Sequence, residues 1–269
     1  CMHESLYNNP FLQENLTRAE SYGLKIIPPR FGEGKAKIAR LETIVAGLSH
    51  DLSEDPLRGK KILVTAGPTP VKIDAVRKIT NKFRGTLGKF IAQEAYLRGA
   101  EVKLLLGETG MPVPEYLDVQ YHSDFDQYYQ NVFSALAEQK YDFGIFSAAV
   151  ADFKPKEVYA GKFPSEEELH LDFEHTPKVI REVRERFPEL YMVTFKFEQG
   201  VSKEELLGIA QERVLSGFQM VVANRGEDYV GEKHGAYIVG KEGVLAQPEG
   251  KKEIARELLE ILGRESWEN

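Results

Sequence analysis

The chain has 269 residues, 42% hydrophobic and 29% charged, enough apolar content to bury a core in one domain plus a small second module. Its 35 Lys+Arg stand against 42 Asp+Glu, a net charge of −7, so nucleic acid, which demands broad basic surface, is not expected as a partner. No apolar run reaches bilayer length, no secretory leader is expected, and the single Cys1 excludes internal disulfides and Cys-based metal sites.

Taken in chain order, Asn9-Pro10 is an N-cap and N1 pair, and Leu12, Leu16 and Ala19 then share a helix face that stops at Gly23. Lys25-Ile26-Ile27 reads as a short strand ended by Pro28-Pro29. Leu41, Ile44, Val45 and Leu48 mark a second helix, and Ser53 to Gly59 is a polar linker. Apolar strands are then predicted at 62–65, 102–106, 143–148, 191–195 and 219–223. Helical stretches near 87–98, 124–139, 177–186 and 203–216 separate them. A further strand at 236–239 precedes a closing helix at 251–262. This alternation predicts an α/β fold, Rossmann-like, with a mostly parallel open sheet, helices on both faces and a small N-terminal appendage. The expected boundaries are residues 1–58 for the appendage and linker and 59–269 for the main domain.

Residues 62–88 carry the strongest functional signal. The run Ile62-Leu63-Val64 empties into Ala66-Gly67-Pro68-Thr69, and Thr80-Asn81 then leads through Gly85 and Gly88 into an amphipathic helix. A buried strand opening into a glycine-bearing turn before a helix suits an anion, because backbone N–H groups and the helix N-terminus approach it closely. The glycines do not follow the dinucleotide fingerprint, and no Gly-Lys-Ser/Thr of a P-loop is present. The six histidines show no metal-ligand spacing.

Two later segments sharpen the reading: Ala148 to Pro155, AAVADFKP, followed by Gly161-Lys162, and Val221-Val222-Ala223-Asn224. With residues 62–88 they resemble phosphopantothenoylcysteine synthetase, the phosphopantothenate–cysteine ligase of coenzyme A synthesis. That family carries strand-G-G-T, then D-x-V-R-x-I-T-N-x-S-S-G-x-x-G, then A-A-V-A-D-x-x-P with a lysine further on. Thr69, Asp74, Val76, Arg77, Ile79, Thr80, Asn81, Gly85 and Gly88 match in order, and the resemblance runs from about Lys61 to about Gly240. Residues 1–52 resemble the C-terminal part of phosphopantothenoylcysteine decarboxylase, a flavoprotein often fused ahead of the synthetase. The chain is therefore expected to be the tail of a bifunctional protein, with a decarboxylase domain covalently or otherwise associated upstream. FMN is not expected to bind this chain alone.

The resemblance implies an acyl-nucleotidylate route in which fixed donors stabilise charge on phosphate and acyl oxygens. Lys162 lies ten residues after Asp152, the offset of the family's essential lysine, although K-I-K-K is here Lys162-Phe163-Pro164-Ser165. Asn81 either donates to an acyl carbonyl or phosphate or caps the turn before the helix. Phe83-Arg84 replaces the family's two serines and turns hydroxyl donors into a guanidinium. Arg77 either clamps an anion or ties to Asp74. Asp152, at a strand end, accepts from ribose or holds Mg²⁺. Phe195 matches the aromatic of V-G-F-A-A-E-T and stacks on a base or sits in the core. Ala149 offers backbone groups to the base, and Asn224 lines the same crevice. The phosphates are expected between the Gly67-Thr69 turn and the helix after Gly85.

The implied cosubstrate is CTP, with ATP the alternative, delivered with Mg²⁺. A homodimer is expected, with a flap from Lys154 to Leu169 reaching from one protomer toward the other's site, in a reducing, cytoplasmic compartment. A catalytically degenerate nucleotide-binding or regulatory homologue is the rival reading, since two flap lysines and the serine pair are missing. An ordinary dinucleotide oxidoreductase is disfavoured, because no G-x-G-x-x-G follows Val64 and no acid closes the strand at Leu104-Leu105-Leu106.

Overall fold

Ile62, Leu63 and Val64 put no polar side chain on either face of their strand, and all three are fully buried. This strand, Lys61–Ala66 (β1), lies inside an eight-stranded sheet. The other members are Glu101–Gly107 (β2), Asp118–His122 (β3), Phe143–Phe146 (β4), Tyr191–Glu198 (β5), Met220–Arg225 (β6), Tyr237–Gly240 (β7) and Gly243–Ala246 (β8). The computed structural model describes residues 1–166, 168–230 and 233–268.

The spatial order is β3-β2-β1-β4-β5-β6-β7-β8. The first six strands run parallel, while β7 pairs antiparallel with β6 and with β8. Strands buried on both faces read as continuous apolar runs, which is why β1, β4 and β6 were visible in the sequence. Asp118–His122 and Gly243–Ala246 were not anticipated. Both sit on sheet edges: the first is mostly polar, and the second is a short Gly-Val-Leu-Ala stretch with Val244 and Leu245 exposed.

Helices Thr86–Leu97 (α4) and Lys251–Glu268 (α8) cover one face. Phe125–Glu138 (α5), Val179–Arg186 (α6) and Lys203–Leu215 (α7) cover the other. Three helices lie in the appendage: Glu4–Tyr7 (α1), Pro10–Ser21 (α2) and Leu41–Leu52 (α3). The third packs on α4, where His50 stacks on Tyr96 at 4.4 Å between ring centroids and its Nδ1 donates to the Tyr96 carbonyl at 2.9 Å.

One appendage expectation is corrected. Residues 25–27 are not a strand, because Pro28 and Pro29 supply no N–H to a ladder. The strands form after them instead, at Arg30–Gly32 and Lys35–Lys37, around a turn in which Glu33 and Gly34 take positive φ.

The order of the strands reverses between β1 and β4, and the crevice beyond their C-terminal ends is where open α/β sheets bind ligands. Two glycines bring α4 up to that crevice. Gly85, its N-cap, has φ 81°, and an added Cβ would lie 2.6 Å from the Gly67 backbone N. A Cβ on Gly88 would lie 2.5 Å from both Ala66 Cβ and Ser147 Oγ. Gly88→Val is expected to force α4 off β1 and lower stability by about 1–3 kcal/mol. A urea midpoint indistinguishable from the parent's would refute this close-approach account.

Candidate active site

The end of β1 is laced to the loop after β4 by its own polar groups. Ser147 Oγ donates to the Thr65 carbonyl at 2.7 Å, Ala149 N to the Gly67 carbonyl at 2.9 Å, and Ala151 N to Thr69 Oγ1 at 2.9 Å. Gly67 and Thr69 are therefore buried struts for the loop that follows β4. Gly85 rests directly on the Gly67 backbone, so the Gly67-Thr69 turn and the start of α4 are packed together where the phosphates were expected.

The open space lies next to it. A cavity of about 850 Å³ is lined by residues 81–88, 146–150, Asp152, 175–180, 194–197, Arg213, Asn224 and Lys251. It takes in Asn81, Arg84, Gly85, Ala149, Asp152, Phe195 and Asn224 among the sequence candidates. Gly67, Thr69, Arg77 and Lys162 are not part of its wall.

Asn81 uses its amide in the way a turn cap does. Its Nδ2 donates to the Ala149 carbonyl at 2.7 Å, and its Oδ1 accepts from Phe83 N at 3.1 Å, which ties the loop before α4 to the loop after β4. Phe83 meets Phe197 edge-on at 5.4 Å, so the loop before α4 touches β5, the strand that also carries Phe195. Asn224, at the end of β6, is 8% exposed. Asp152 is held by Lys178, whose Nζ lies 2.5 Å from Oδ1.

Arg77 resolves to a tie. Its guanidinium donates to Asp74 Oδ2 at 2.9 Å and to the Phe163 carbonyl at 3.1 Å. Asp74, 2% exposed, also accepts from the backbone N–H groups of Val76, Arg77 and Phe163. Burial pushes its pKa up, but these three backbone donors and the Arg77 charge outweigh it and hold the carboxyl at about 2. The same hub pins the lysine-bearing segment. Gly161 and Phe163 are bonded to the loop at 74–77, while Lys162 between them projects exposed. The expected flap is thus anchored at Tyr159, Gly161 and Phe163, and its Glu167 lies outside the described residues.

The cavity's charge was missed in the sequence. Lys82, Arg84, Lys178, Lys196, Arg213 and Lys251 line it, with Asp152 as the one carboxylate on its wall among the described residues. Lys196 is paired with Glu198 at 2.6 Å, and Arg213 donates to the Phe195 carbonyl at 3.0 Å. Burial and then the nearby Arg181 push the Arg213 pKa down, while Glu198 and Asp152 push it back. Cations scattered over five segments leave no motif. The one available signal was Lys178 directly before a helix, where a cation is normally avoided. On a chain of net charge −7 such a cavity is a local trap for an anion.

Comparison with known proteins agrees with this geometry. The profile of the DNA/pantothenate metabolism flavoprotein C-terminal domain matches residues 57–264. The chain belongs to that family. A curated relative, the coenzyme A biosynthesis bifunctional protein CoaBC of Thermococcus kodakarensis, is 38% identical over 96% of this chain, which spans 64% of that protein's length. Among solved structures, the DNA/pantothenate metabolism flavoprotein from Streptococcus pneumoniae superposes with a TM-score of 0.70 at 26% identity. It covers 77% of this chain and all of that one. The C-terminal domain of a CoaBC protein gives a TM-score of 0.66 at 27% identity, over 80% of this chain and all of that one.

Two buried groups contribute to the response to acid in separate pH windows. His122 lies under the β1 turn, its Nε2 donating to the Pro68 carbonyl at 3.2 Å, and burial lowers its pKa from 6.5 to about 4. A histidine whose folded pKa is lowered gives stability that is complete above 6.5 and is lost as pH falls toward 4. Asp74, lowered from 3.8 to about 2, gives stability present above 3.8 and lost as pH falls toward 2. His122→Gln should flatten the upper window and Asp74→Asn the lower one, read by chemical denaturation at each pH. Asp74→Asn should also quicken amide exchange at Phe163, and unchanged exchange there would contradict its role as the hub.

Proposed function

We propose that this chain is the unit that ligates 4′-phosphopantothenate to L-cysteine through an acyl-nucleotidylate, in coenzyme A biosynthesis. The observation that carries it is the cation-lined cavity at the C-terminal ends of β4, β5 and β6, on a domain of this family. The bifunctional relatives named for coenzyme A biosynthesis support the pathway.

In the first step a carboxylate oxygen of phosphopantothenate attacks the α-phosphorus of a nucleoside triphosphate. The bond to the β-phosphate oxygen breaks, and pyrophosphate leaves. In the second, the cysteine amine attacks the acyl carbon, loses a proton, and expels nucleoside monophosphate as the amide forms. Both steps pass through added negative charge on phosphoryl or acyl oxygens, and cations fixed before reaction stabilise it most. Arg213 and Lys251 approach from helices on opposite faces of the sheet, so a ligand across the strand ends meets charge from both sides. Phe195 offers an aromatic face, Asn224 an amide, and the backbone at Ala149 and the Gly85 N-cap further polar groups. Asn81 holds the two loops that flank the reacting centre.

Magnesium does not fit as a resident cofactor. Asp152 is a single carboxylate already paired with Lys178, and no group of three potential ligands occurs among the described residues. Mg²⁺ is assigned to the incoming triphosphate instead. CTP is the proposed nucleotide and ATP the alternative. The catalytic lysine is Lys162. Because it projects from the anchored flap outside its own cavity, we assign it to the site of a second protomer, which makes the working unit a homodimer. Residues 1–58 are assigned to a decarboxylase region that continues upstream.

Pyrophosphate release with 4′-phosphopantothenate and cysteine should appear with CTP above ATP. No release with either nucleotide would favour the degenerate homologue, a reading motivated by Phe163-Pro164-Ser165 and Phe83-Arg84. Lys162→Gln should bind nucleotide yet turn over about a hundredfold more slowly, a loss of roughly 3 kcal/mol in transition-state stabilisation. Parental turnover would remove Lys162 from the mechanism. Sedimentation at micromolar concentration should report a dimer, and a fully active monomer would exclude the shared site.

A further inference from the structure

We infer that Lys178 is a phosphate-binding residue held in reserve, released from Asp152 when an anionic ligand enters the cavity. The inference rests on the nucleotide-binding reading above and adds to it a residue that the family pattern did not mark. Three observations meet at this side chain.

Lys178 occupies the N-cap of α6, a position that favours an acceptor side chain, and it makes no capping hydrogen bond. A cation there opposes the positive end of the helix dipole. Local rules broken in this way are concentrated at functional sites. The lysine also lines the cavity, as do Lys196 and Arg213. Its partner Asp152 is the one carboxylate on that wall among the described residues, and it would otherwise repel a phosphate.

The pair is built to separate. Lys178 keeps 51% and Asp152 66% of their side-chain surface exposed. Exposed ion pairs contribute little to stability, so exchanging one partner for another anion costs little. Arg213 contrasts with it, its guanidinium fixed on the Phe195 carbonyl. Arg213 thus supplies a standing charge and Lys178 a movable one. When the ammonium turns to a phosphate, the freed Asp152 carboxylate can accept from a hydroxyl of the same ligand. The exchange couples recognition of the phosphate to recognition of the sugar.

The test is a double-mutant cycle on the full chain, read by calorimetric binding of inorganic tripolyphosphate, which has neither sugar nor base. Asp152→Asn should tighten tripolyphosphate several-fold, because a competing carboxylate is removed. Lys178→Met should weaken it by about tenfold, in the range of a lost charge-assisted contact. The deciding value is Lys178→Met in the Asp152→Asn background. A persistent loss of about tenfold means that the ammonium touches the anion. No loss there means that Lys178 only neutralises Asp152, and the inference is overturned. Weaker binding by Asp152→Asn, or no binding by the parent chain, also overturns it. The cycle is independent of turnover. Absence of pyrophosphate release from the parent would defeat the ligase reading while leaving the exchange at Lys178 measurable.

Discussion

The whole site depends on how closely α4 can approach the end of β1. Gly85 rests on the Gly67 backbone and Gly88 on Ala66, so the helix starts almost against the strand. That contact fixes where residues 81–84 must run. It also fixes the loop after β4, which hangs from Thr65, Gly67 and Thr69 by hydrogen bonds from Ser147, Ala148, Ala149 and Ala151. Asn81 then closes the figure by joining the two loops. The floor and one wall of the cavity are consequences of backbone packing, and side chains only furnish it.

This hierarchy explains what could be read in advance. The apolar runs of β1, β4 and β6 and the helix at 86–97 were legible because burial on both faces leaves a continuous signature. The glycines were legible as close approach, but what approaches them was not. Gly67 and Thr69, read as ligand contacts, serve in the fold as internal struts, and a glycine turn that admits a phosphate and one that admits another backbone have the same sequence. The antiparallel direction of β7 was equally hidden. Direction beside β6 is set by the connection that precedes β7, whereas the apolar run Tyr237–Val239 would suit either sense.

The cationic wall was invisible for a different reason. Lys82, Lys178, Lys196, Arg213 and Lys251 are far apart in sequence, and each taken alone is an ordinary surface cation. Only the reversal of strand order at β1 and β4 brings the ends of β5 and β6 and the starts of α4, α6 and α8 to one crevice. Net charge misleads here as well. A chain at −7 is acidic on average, yet the carboxylates it places near this crevice are few and paired.

Two of the departures from the family pattern meet at one place. Two serines before Gly85 became Phe83-Arg84, and the strand that carries Phe195 became Thr194-Phe195-Lys196-Phe197. In space these are not scattered. Phe83 meets Phe197 edge to face, and Arg84 and Lys196 stand on the same cavity. A bulky aromatic at either position alone would face a small residue and leave a gap, whereas the two together fill it. Hydroxyl donors lost on one loop are matched by charges gained around it. The site has therefore been relined as a unit while the helix approach, the strand ends and the Asn81 tie were kept. Loss of individual family residues is for that reason weak grounds for inferring a dead site: what a ligand meets is the sum of the wall, and among the described residues that wall holds six cations and one carboxylate.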